Sequence, residues 1–305
     1  MLTLTEHRKG VIYTTFSYLM WGLLPLYWKM IEHVSSLEIL AHRLIWSFVF
    51  VFLILTLTSG LSSLWKTICK LFKDHKSLWL LLIAAILITI NWFTYIWAVN
   101  HDAILEASLG YYINPLVSVL LGYLFLKERM NALQTLATII AGIGVLFSTV
   151  QHGEFPWIAL ILAISFGLYG LAKKLLAVGP LHGLTLETLV ILPASLLYLF
   201  YLIINGDSQF IHGDWVTILL LSGAGIVTAV PLLLFAKGAQ MIPLYMIGFL
   251  QYIAPTISFM IGVFLYQEPF SSTQLITFSC IWIALALFVL SHTRQVHAKQ
   301  VRSPS

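Results

Sequence analysis

Ten apolar segments, each close to the length of a membrane-crossing helix, follow one another along the chain with short connections. They lie near residues 11–29, 38–58, 77–98, 103–126, 132–150, 156–176, 183–204, 215–236, 243–266 and 272–292. A helix needs about 20 apolar residues to cross a bilayer, whereas a membrane β-strand is about half as long and alternates in polarity. The pattern therefore predicts an all-α membrane protein with ten transmembrane helices.

Composition supports this fold class. Of the 305 residues, 60% are apolar and 9% are charged, and the mean hydropathy is +0.94. Soluble domains carry about 25% charged residues, so the expected surroundings are a lipid bilayer. The first apolar segment, from Val11, is followed by no small-residue cleavage site and is interpreted as a retained helix.

Positive charge is distributed unequally between the two sets of loops. Fourteen of the 16 Lys and Arg residues lie in the termini and in the loops on one side of the ten spans. Lys29 lies on the other side, and Arg43 lies inside the second span. Because cytoplasmic loops carry the excess of Lys and Arg, both termini are predicted to be cytoplasmic. The net charge of +4 follows this topology, so nucleic acid is not an expected partner.

Part of the fourth span recurs in the ninth at an offset of 140 residues. Six positions from Tyr112 onward match six positions from Tyr252 onward. An odd number of spans separates equivalent positions, so the second copy is inverted in the bilayer. The chain is therefore predicted to comprise a first five-helix repeat, residues 1–150, and a second, inverted five-helix repeat with a short C-terminal tail, residues 151–305. Inverted repeats with interrupted helices are typical of secondary transporters.

Two matched prolines lie near the middle of these spans. Pro115 and Pro255 each free the carbonyl four residues earlier, so both helices are predicted to kink. A free carbonyl at membrane depth needs a partner or a wet cavity; a kink that only improves packing is the alternative. Polar and aromatic residues at similar depth are the predicted lining of a substrate cavity: Trp21, Asn91, Trp97, Tyr112, Asn114, Gln251 and Tyr252.

Ionisable side chains inside the spans are costly to bury and usually functional. The depth of Arg43 and Glu106 predicts that they pair near the outer surface. At the cytoplasmic end, Glu187 is predicted to pair with Lys237. These four residues are candidates for gating at the two ends of one cavity, and snorkelling to the nearest interface is the alternative. Glu106 and Glu187 are also candidates for proton coupling, as is His42.

The sequence carries no signature of a cofactor or a metal. The two cysteines, Cys69 and Cys280, suggest neither a disulfide framework nor a metal site, and no phosphate-binding glycine-rich loop occurs. Catalytic groups are not paired at one depth within the spans, which disfavours an intramembrane enzyme. A channel remains an alternative to a carrier.

Several motifs resemble the RarD branch of the EamA family, within the drug/metabolite transporter superfamily. The longest runs that carry the resemblance are Glu38–Ser47, Leu105–Pro115 and Gln251–Pro255, with shorter matches at Tyr18–Gly22, Asn91–Trp92 and Trp97–Asn100. Ala254 departs from the family pattern, in which glycine is frequent at this position.

The resemblance implies a permease of the bacterial inner membrane with ten helices in two inverted halves. Its expected function is secondary transport of a small amphipathic metabolite or drug by alternating access, in the direction of export. Chloramphenicol-like compounds are among the implied substrates. Proton-coupled uptake of amino acids or related metabolites is the alternative, with protons as a candidate coupling ion. The oligomeric state does not follow from the resemblance.

Overall fold

The computed structural model describes residues 4–100, 104–152, 155–267 and 271–302, which form helices and connecting turns without a β-strand. The helices, numbered in chain order, are α1 Leu4–Lys29, α2 Ser36–Thr58, α3 Gly60–Lys73, α4 His75–Asn100, α5 Ile104–Leu126, α6 Ala132–His152, α7 Trp157–Leu175, α8 Pro180–Asn205, α9 Gln209–His212, α10 Trp215–Met241, α11 Leu244–Gln251, α12 Ile253–Met260 and α13 Ser272–Arg302. A short π-helical segment, Ile261–Leu265, continues α12. The predicted all-α fold class is confirmed.

Each of the ten apolar segments coincides with helical structure. Within the described residues, nine stretches are long and apolar enough to cross a membrane: α2, α4, α5, α6, α7, α8, α10, the run from α11 to the π-helical segment, and α13. α1 is not among them, because Tyr, Thr and Trp side chains interrupt its apolar stretch. The tenth crossing therefore stays a prediction.

Local signals in the sequence fix several helix ends. α2 begins after Ser35, whose side chain accepts a hydrogen bond from the N–H of Glu38 at 3.3 Å. α10 begins after Asp214, whose carboxylate accepts the N–H of Thr217 at 2.8 Å. Both are N-caps of the preferred residue types. α8 ends at Gly206, whose φ of +76° is the left-handed conformation that favours glycine.

The two halves pack in the same pattern. The contact between α1 and α10 corresponds to the contact between α7 and α4 in the other half. Likewise, the contact between α5 and α7 corresponds to the contact between α12 and α1. α2 packs on α10 as α8 packs on α4. Three further contacts join equivalent helices of the two halves: α2 with α8, α5 with α11, and α6 with α13. This pattern is unchanged when the halves are exchanged, as in a bundle with two-fold pseudosymmetry.

Backbone conformation repeats at the same offset. Among the described residues, two that are not glycine have a positive φ: Lys127 at 52° and Gln267 at 57°. They are 140 positions apart, and each follows the end of a repeated span. A left-handed residue other than glycine is uncommon, so its recurrence shows that the sequence repeat extends to the turn after the span.

The two proline-containing spans differ in continuity. α5 runs through Pro115 without interruption. In the second copy, α11 ends at Gln251, a turn follows at Tyr252, and α12 then carries Pro255 near its start. The second span thus consists of two short helices and a π-helical segment, a feature frequent at functional sites.

α3 is the amphipathic segment between the second and third predicted spans. Leu64 and Leu71 are buried against a cluster that includes Leu81. On the other face, Trp65 and Phe72 are about two-thirds exposed, at 66% and 65%. A helix with this division of side chains suits the interface between lipid and water.

Candidate functional site

Arg43 is held by three helices near one end of the bundle. α2 places it about 10 Å from its first residue, at 1.5 Å per residue. Its Nε–H donates to Oγ1 of Thr228 on α10 at 3.1 Å. Its guanidinium carbon lies 4.8 Å from the ring centroid of Trp28 on α1 and 4.8 Å from that of Trp92 on α4. Two such cation–π contacts stabilise the charge by roughly 0.5–2 kcal/mol each.

Two tyrosines complete the surroundings of Arg43. The rings of Tyr95 on α4 and Tyr111 on α5 lie 6.0 Å apart, and both hydroxyls are close enough to interact electrostatically with the guanidinium. Tyr111 is 44% exposed, and Arg43 itself is partly exposed. We call the group formed around Arg43 the Arg43 cage; its members are Arg43, Trp28, Trp92, Tyr95, Tyr111 and Thr228.

The predicted partner of Arg43 is Glu106 on α5. The Glu106 side chain lies outside the described residues, so the pairing of these two residues stays a prediction. The aromatic members of the cage were not predicted as partners of Arg43. The signal available in the sequence is the spacing of Trp92 and Tyr95, which puts two aromatic side chains on one face of α4.

At the opposite end of the bundle, the structure corrects the predicted partner of Glu187. Its Oε1 accepts a hydrogen bond from Nζ of Lys173 on α7 at 2.7 Å, and its Oε2 accepts one from the hydroxyl of Tyr169 at 3.4 Å. Both side chains of the ion pair are 1–2% exposed. Lys237 instead lies over the ring of Tyr13 on α1, 4.6 Å from its centroid. The rotation of α7 and α10 within the bundle explains the difference, because it turns Lys173 inward and Lys237 towards α1.

A second polar cluster at this end was not predicted. The carboxylate of Glu128, just after α5, accepts the backbone N–H groups of Leu244 and Tyr245 at 2.8 Å and 3.0 Å. Lys174 lies 3.9 Å from Glu128 and donates to the carbonyl of Ala239 near the end of α10 at 3.3 Å. A carboxylate at a helix N-terminus and an ammonium at a C-terminus are each favourable for the helix dipole. We call this end, with its ion pair and this cluster, the Lys173 end.

Glu38 and His42 form a buried cluster near Arg43. Oε1 of Glu38 accepts the hydroxyl of Ser208 at 2.9 Å and the N–H of Phe210 at 3.1 Å. His42 accepts the indole N–H of Trp46 on Nδ1 at 3.3 Å, so Nε2 carries the proton of the neutral ring. Nε2 lies 4.0 Å from Glu38 and has no hydrogen-bond partner among the described residues. Glu38 therefore ties α2 to the segment before α10.

The repeated tyrosines meet where α5 crosses α11. The hydroxyl of Tyr252 donates to the backbone carbonyl of Tyr112 at 3.3 Å. Next to it, the hydroxyl of Ser118 donates to Oε1 of Gln251 at 3.4 Å. Asn114 is 4% exposed, and its Oδ1 has no hydrogen-bond partner among the described residues. A buried, unpartnered amide oxygen is costly and is a candidate contact for a bound molecule.

The other predicted lining residues occupy separate places. Trp21 packs in an aromatic cluster, with its ring centroid 5.7 Å from Phe166 and 5.6 Å from Phe235. Asn91 joins α4 to α7 by donating to the carbonyl of Leu162 at 2.9 Å. The ring of Trp97 lies 5.2 Å from that of Trp157, at the start of α7.

These contacts divide the predicted set. The structure brings together Tyr112, Gln251 and Tyr252 at one crossing, with Asn114 beside them in the sequence of α5. Asn91 and Trp97 instead hold α4 against α7. Among the described residues, no group of His, Cys, Asp and Glu side chains is arranged to hold a metal ion.

Comparison with known proteins gives a consistent result. The profile of the EamA-like transporter family matches residues 8–150 and, again, residues 156–290. The uncharacterized transporter YojE of Bacillus subtilis is 54% identical over 299 residues, covering 97% of this chain and 98% of that protein. Protein RarD of Salmonella typhi is 44% identical over 285 residues, covering 93% and 96%.

The fold is also similar to that of a solved crystal structure. It superposes with a TM-score of 0.67 at 19% identity, covering 94% of this chain and 98% of that chain. At this level of identity the similarity concerns the fold alone.

Proposed function

The chain belongs to the EamA-like transporter family as a RarD-type permease, and we propose that it moves a small amphipathic metabolite or drug by alternating access. Membership makes it a multi-pass bacterial membrane transporter. The substrate class, the export direction and the mechanism are the content of the proposal.

The observation that carries the mechanism is the exchangeable packing of the two halves. In inverted-repeat transporters, one half rocks against the other around a site near the middle of the bilayer. A packing pattern that is unchanged on exchange of the halves supports two related conformations, each the counterpart of the other. The two matches of the family profile, one to each half, fit the same division.

The crossing of α5 and α11 supports a substrate site near the middle of the bundle. Here the repeated Tyr112 and Tyr252 touch, and the second span is interrupted. The unpartnered Oδ1 of Asn114 supplies an acceptor beside this crossing. Gln251 and the ring of Tyr252 complete the proposed lining, with aromatic surface for the apolar part of a substrate and an amide for its polar part.

The proposed topology follows the charge distribution. Both termini lie in the cytoplasm, the membrane is the bacterial inner membrane, and α1 is the tenth crossing. The excess of Lys and Arg on one side supports this orientation.

Proteoliposome transport tests the proposal. Purified protein is reconstituted in both orientations and assayed by counterflow with radiolabelled compounds that include chloramphenicol, neutral and zwitterionic amino acids, and aromatic acids. We expect counterflow of at least one amphipathic compound, reduced roughly 10-fold or more by Asn114→Leu, which fills the site and removes the amide. Gly142→Ala is the control, because a Cβ at Gly142 meets nothing within 4 Å.

Two results would contradict parts of the proposal. Conductance without saturation would identify a channel and exclude alternating access. Accumulation of a compound that requires an imposed pH gradient would replace export down the substrate gradient by proton-coupled transport.

A further inference from the structure

The charge of Arg43 is incompletely satisfied within the described residues. In that part of the chain its hydrogen bonding consists of Nε to Thr228, and no carboxylate lies within 4.0 Å of the guanidinium. The terminal Nη groups, which form the donor fork of arginine, have no described acceptor. Aromatic rings and one neutral hydroxyl offset only part of the cost of a cation at this depth.

We propose that the missing acceptor is the substrate rather than the predicted partner Glu106, whose side chain lies outside the described residues, and that Arg43 binds the carboxylate or phosphate group of a small amphipathic anion. This assignment rests on the proposed transport function and names the substrate class. Arginine matches the planar geometry of carboxylate and phosphate, which it binds through two parallel N–H groups. With Nε already held by Thr228, the two Nη groups face the anion as a fixed pair.

The aromatic members of the cage give the rest of the substrate its character. Trp92 and Tyr95 are partly exposed and Tyr111 is 44% exposed, so part of the aromatic surface around Arg43 is accessible. Flat apolar groups stack on such faces. The preferred ligand is therefore an aromatic or flat apolar group that bears one anionic group.

The cage also draws on helices of both halves. Trp28, Arg43 and Trp92 belong to the first half, whereas Thr228 belongs to the second. A relative movement of the halves changes the distance between Nε and Thr228, so binding at Arg43 is coupled to the conformation that transport requires.

A matched pair of probes tests the charge requirement directly. Binding of phenylacetate and of phenylacetamide, which differ in charge but little in shape, is measured by calorimetry with the full chain in phospholipid-free detergent micelles. We expect the acid to bind roughly 10- to 100-fold more tightly than the amide, the range for a charge-assisted hydrogen bond. Phenyl phosphate is expected to bind at least as well as phenylacetate. Equal binding of acid and amide, or binding of neither anion at millimolar concentration, would overturn the proposal.

Variants of Arg43 test whether this residue causes the preference for the acid over the amide. Arg43→Gln is expected to abolish the difference between acid and amide, and Arg43→Lys to retain a small part of it, because lysine keeps the charge and loses the fork. Lys29→Gln, which removes an exposed positive charge one residue from Trp28, is the matched control and should keep the wild-type preference. A preference that survives in folded Arg43→Gln places the anion elsewhere and rejects the assignment.

Two further experiments cover a variant that does not fold and a lipid as the bound anion. If Arg43→Gln does not fold, Thr228→Val removes the anchor of Nε alone and is expected to lower the acid preference a few-fold. Phosphatidylglycerol added to the micelles distinguishes a site for a lipid headgroup from a site for a soluble substrate. If the lipid displaces phenylacetate only at saturating concentration, the result supports a substrate site. Binding of the lipid without binding of the soluble anions makes the occupant a headgroup and overturns the proposal.

Failure of this assignment is distinguishable from failure of the transport proposal. Counterflow of neutral compounds with no charge preference rejects the anion site and leaves transport intact. Anion binding at Arg43 without counterflow of any compound supports the site and rejects transport of that class.

Discussion

Arg43 and Glu187 are each the eighth residue of their helix, α2 and α8, yet the structure gives them opposite surroundings. Glu187 is 1% exposed and lies 2.7 Å from Lys173, with the Tyr169 hydroxyl as a second donor. Arg43 is partly exposed, and its described neighbours are aromatic rings and the hydroxyl of Thr228. Negative charge therefore meets positive charge at one end, whereas the cation at the other end meets neutral groups.

This difference separates two uses of an ionisable residue in a membrane bundle. A buried ion pair with both partners in contact has no charge left for a ligand, and it holds its two helices together as a unit. An accessible cation without a described counter-anion is available to bind one. The ionisable residue at this position therefore links α7 to α8 at one end, whereas at the other end our proposal makes Arg43 a binding group on α2.

Breaking the ion pair should give the largest effect on stability. Glu187→Gln leaves the ammonium of Lys173 buried without its counter-charge, and we expect a loss of about 3–5 kcal/mol in the free energy of unfolding. The measurement is reversible denaturation in detergent, followed by helical circular dichroism.

The double variant Lys173→Met/Glu187→Leu is the matched control. It removes both charges and fills the space with apolar side chains, so most of the stability should return. Arg43→Gln should lower the free energy of unfolding less than Glu187→Gln does. It should reduce the preference for phenylacetate over phenylacetamide more. If Arg43→Gln is the more destabilising of the two variants, the distinction between a structural role for Glu187 and a binding role for Arg43 is wrong.

Sequence patterns predicted the features that depend on periodicity. All ten apolar segments are helical, and the 140-residue repeat recurs in the backbone conformation of Lys127 and Gln267. Hydrophobic length and repeat offset depend on the local chain alone, which is why they could be read without tertiary contacts. The tenth crossing stays a prediction, because α1 mixes apolar with polar aromatic residues.

Side-chain partners could not be predicted in the same way. Lys237 was predicted as the partner of Glu187, whereas the structure places Lys173 there, and only the rotation of α7 and α10 within the bundle decides between them. Glu128 is one of the six positions that match at the offset of 140 residues, but its acceptor role at the start of α11 depends on the approach of two distant segments. Depth along a helix follows from sequence, whereas the direction in which a side chain faces depends on packing.

The closest approach of α2 and α10 provides a second test of the cage. A Cβ added at Gly225 would overlap the backbone of Trp46, so Gly225→Ala must push the two helices apart. We expect a loss of about 1–3 kcal/mol in unfolding free energy, and a weaker preference for phenylacetate because Arg43 and Thr228 separate. Gly142→Ala, in open space on α6, should be neutral or stabilising by about 0.5–1 kcal/mol. An unchanged acid preference in Gly225→Ala would show that the Nε–Thr228 contact is dispensable.

A smaller effect is expected from Glu128 at the Lys173 end. Glu128→Ala removes the acceptor of two N–H groups at the start of α11, a change comparable to the loss of an N-cap, worth about 0.5–2 kcal/mol. Hydrogen exchange of the Leu244 and Tyr245 amides should therefore accelerate roughly 2- to 30-fold, while exchange near Arg43 stays constant. Glu32→Ala, at an exposed position of the opposite end, is the control. Equal acceleration at both ends would mean that the two ends are not held independently.

The smallest effect should come from the cap of α10, the helix that carries Thr228. Hydrogen bonds from the hydroxyl and the N–H of Thr217 lower the pKa of Asp214 below its ordinary value of 3.8. Because the folded pKa is the lower one, the cap stabilises the protein above about pH 3.8 and loses this contribution as the pH falls through the folded pKa. Asp214→Asn caps about as well without titrating, so the melting temperatures of wild type and variant should run parallel from pH 7 to pH 5. Below about pH 3.8 the wild type should lose more stability than the variant, because only the wild type loses a charged cap there. A divergence that begins near neutral pH would show that a group other than Asp214 causes the difference.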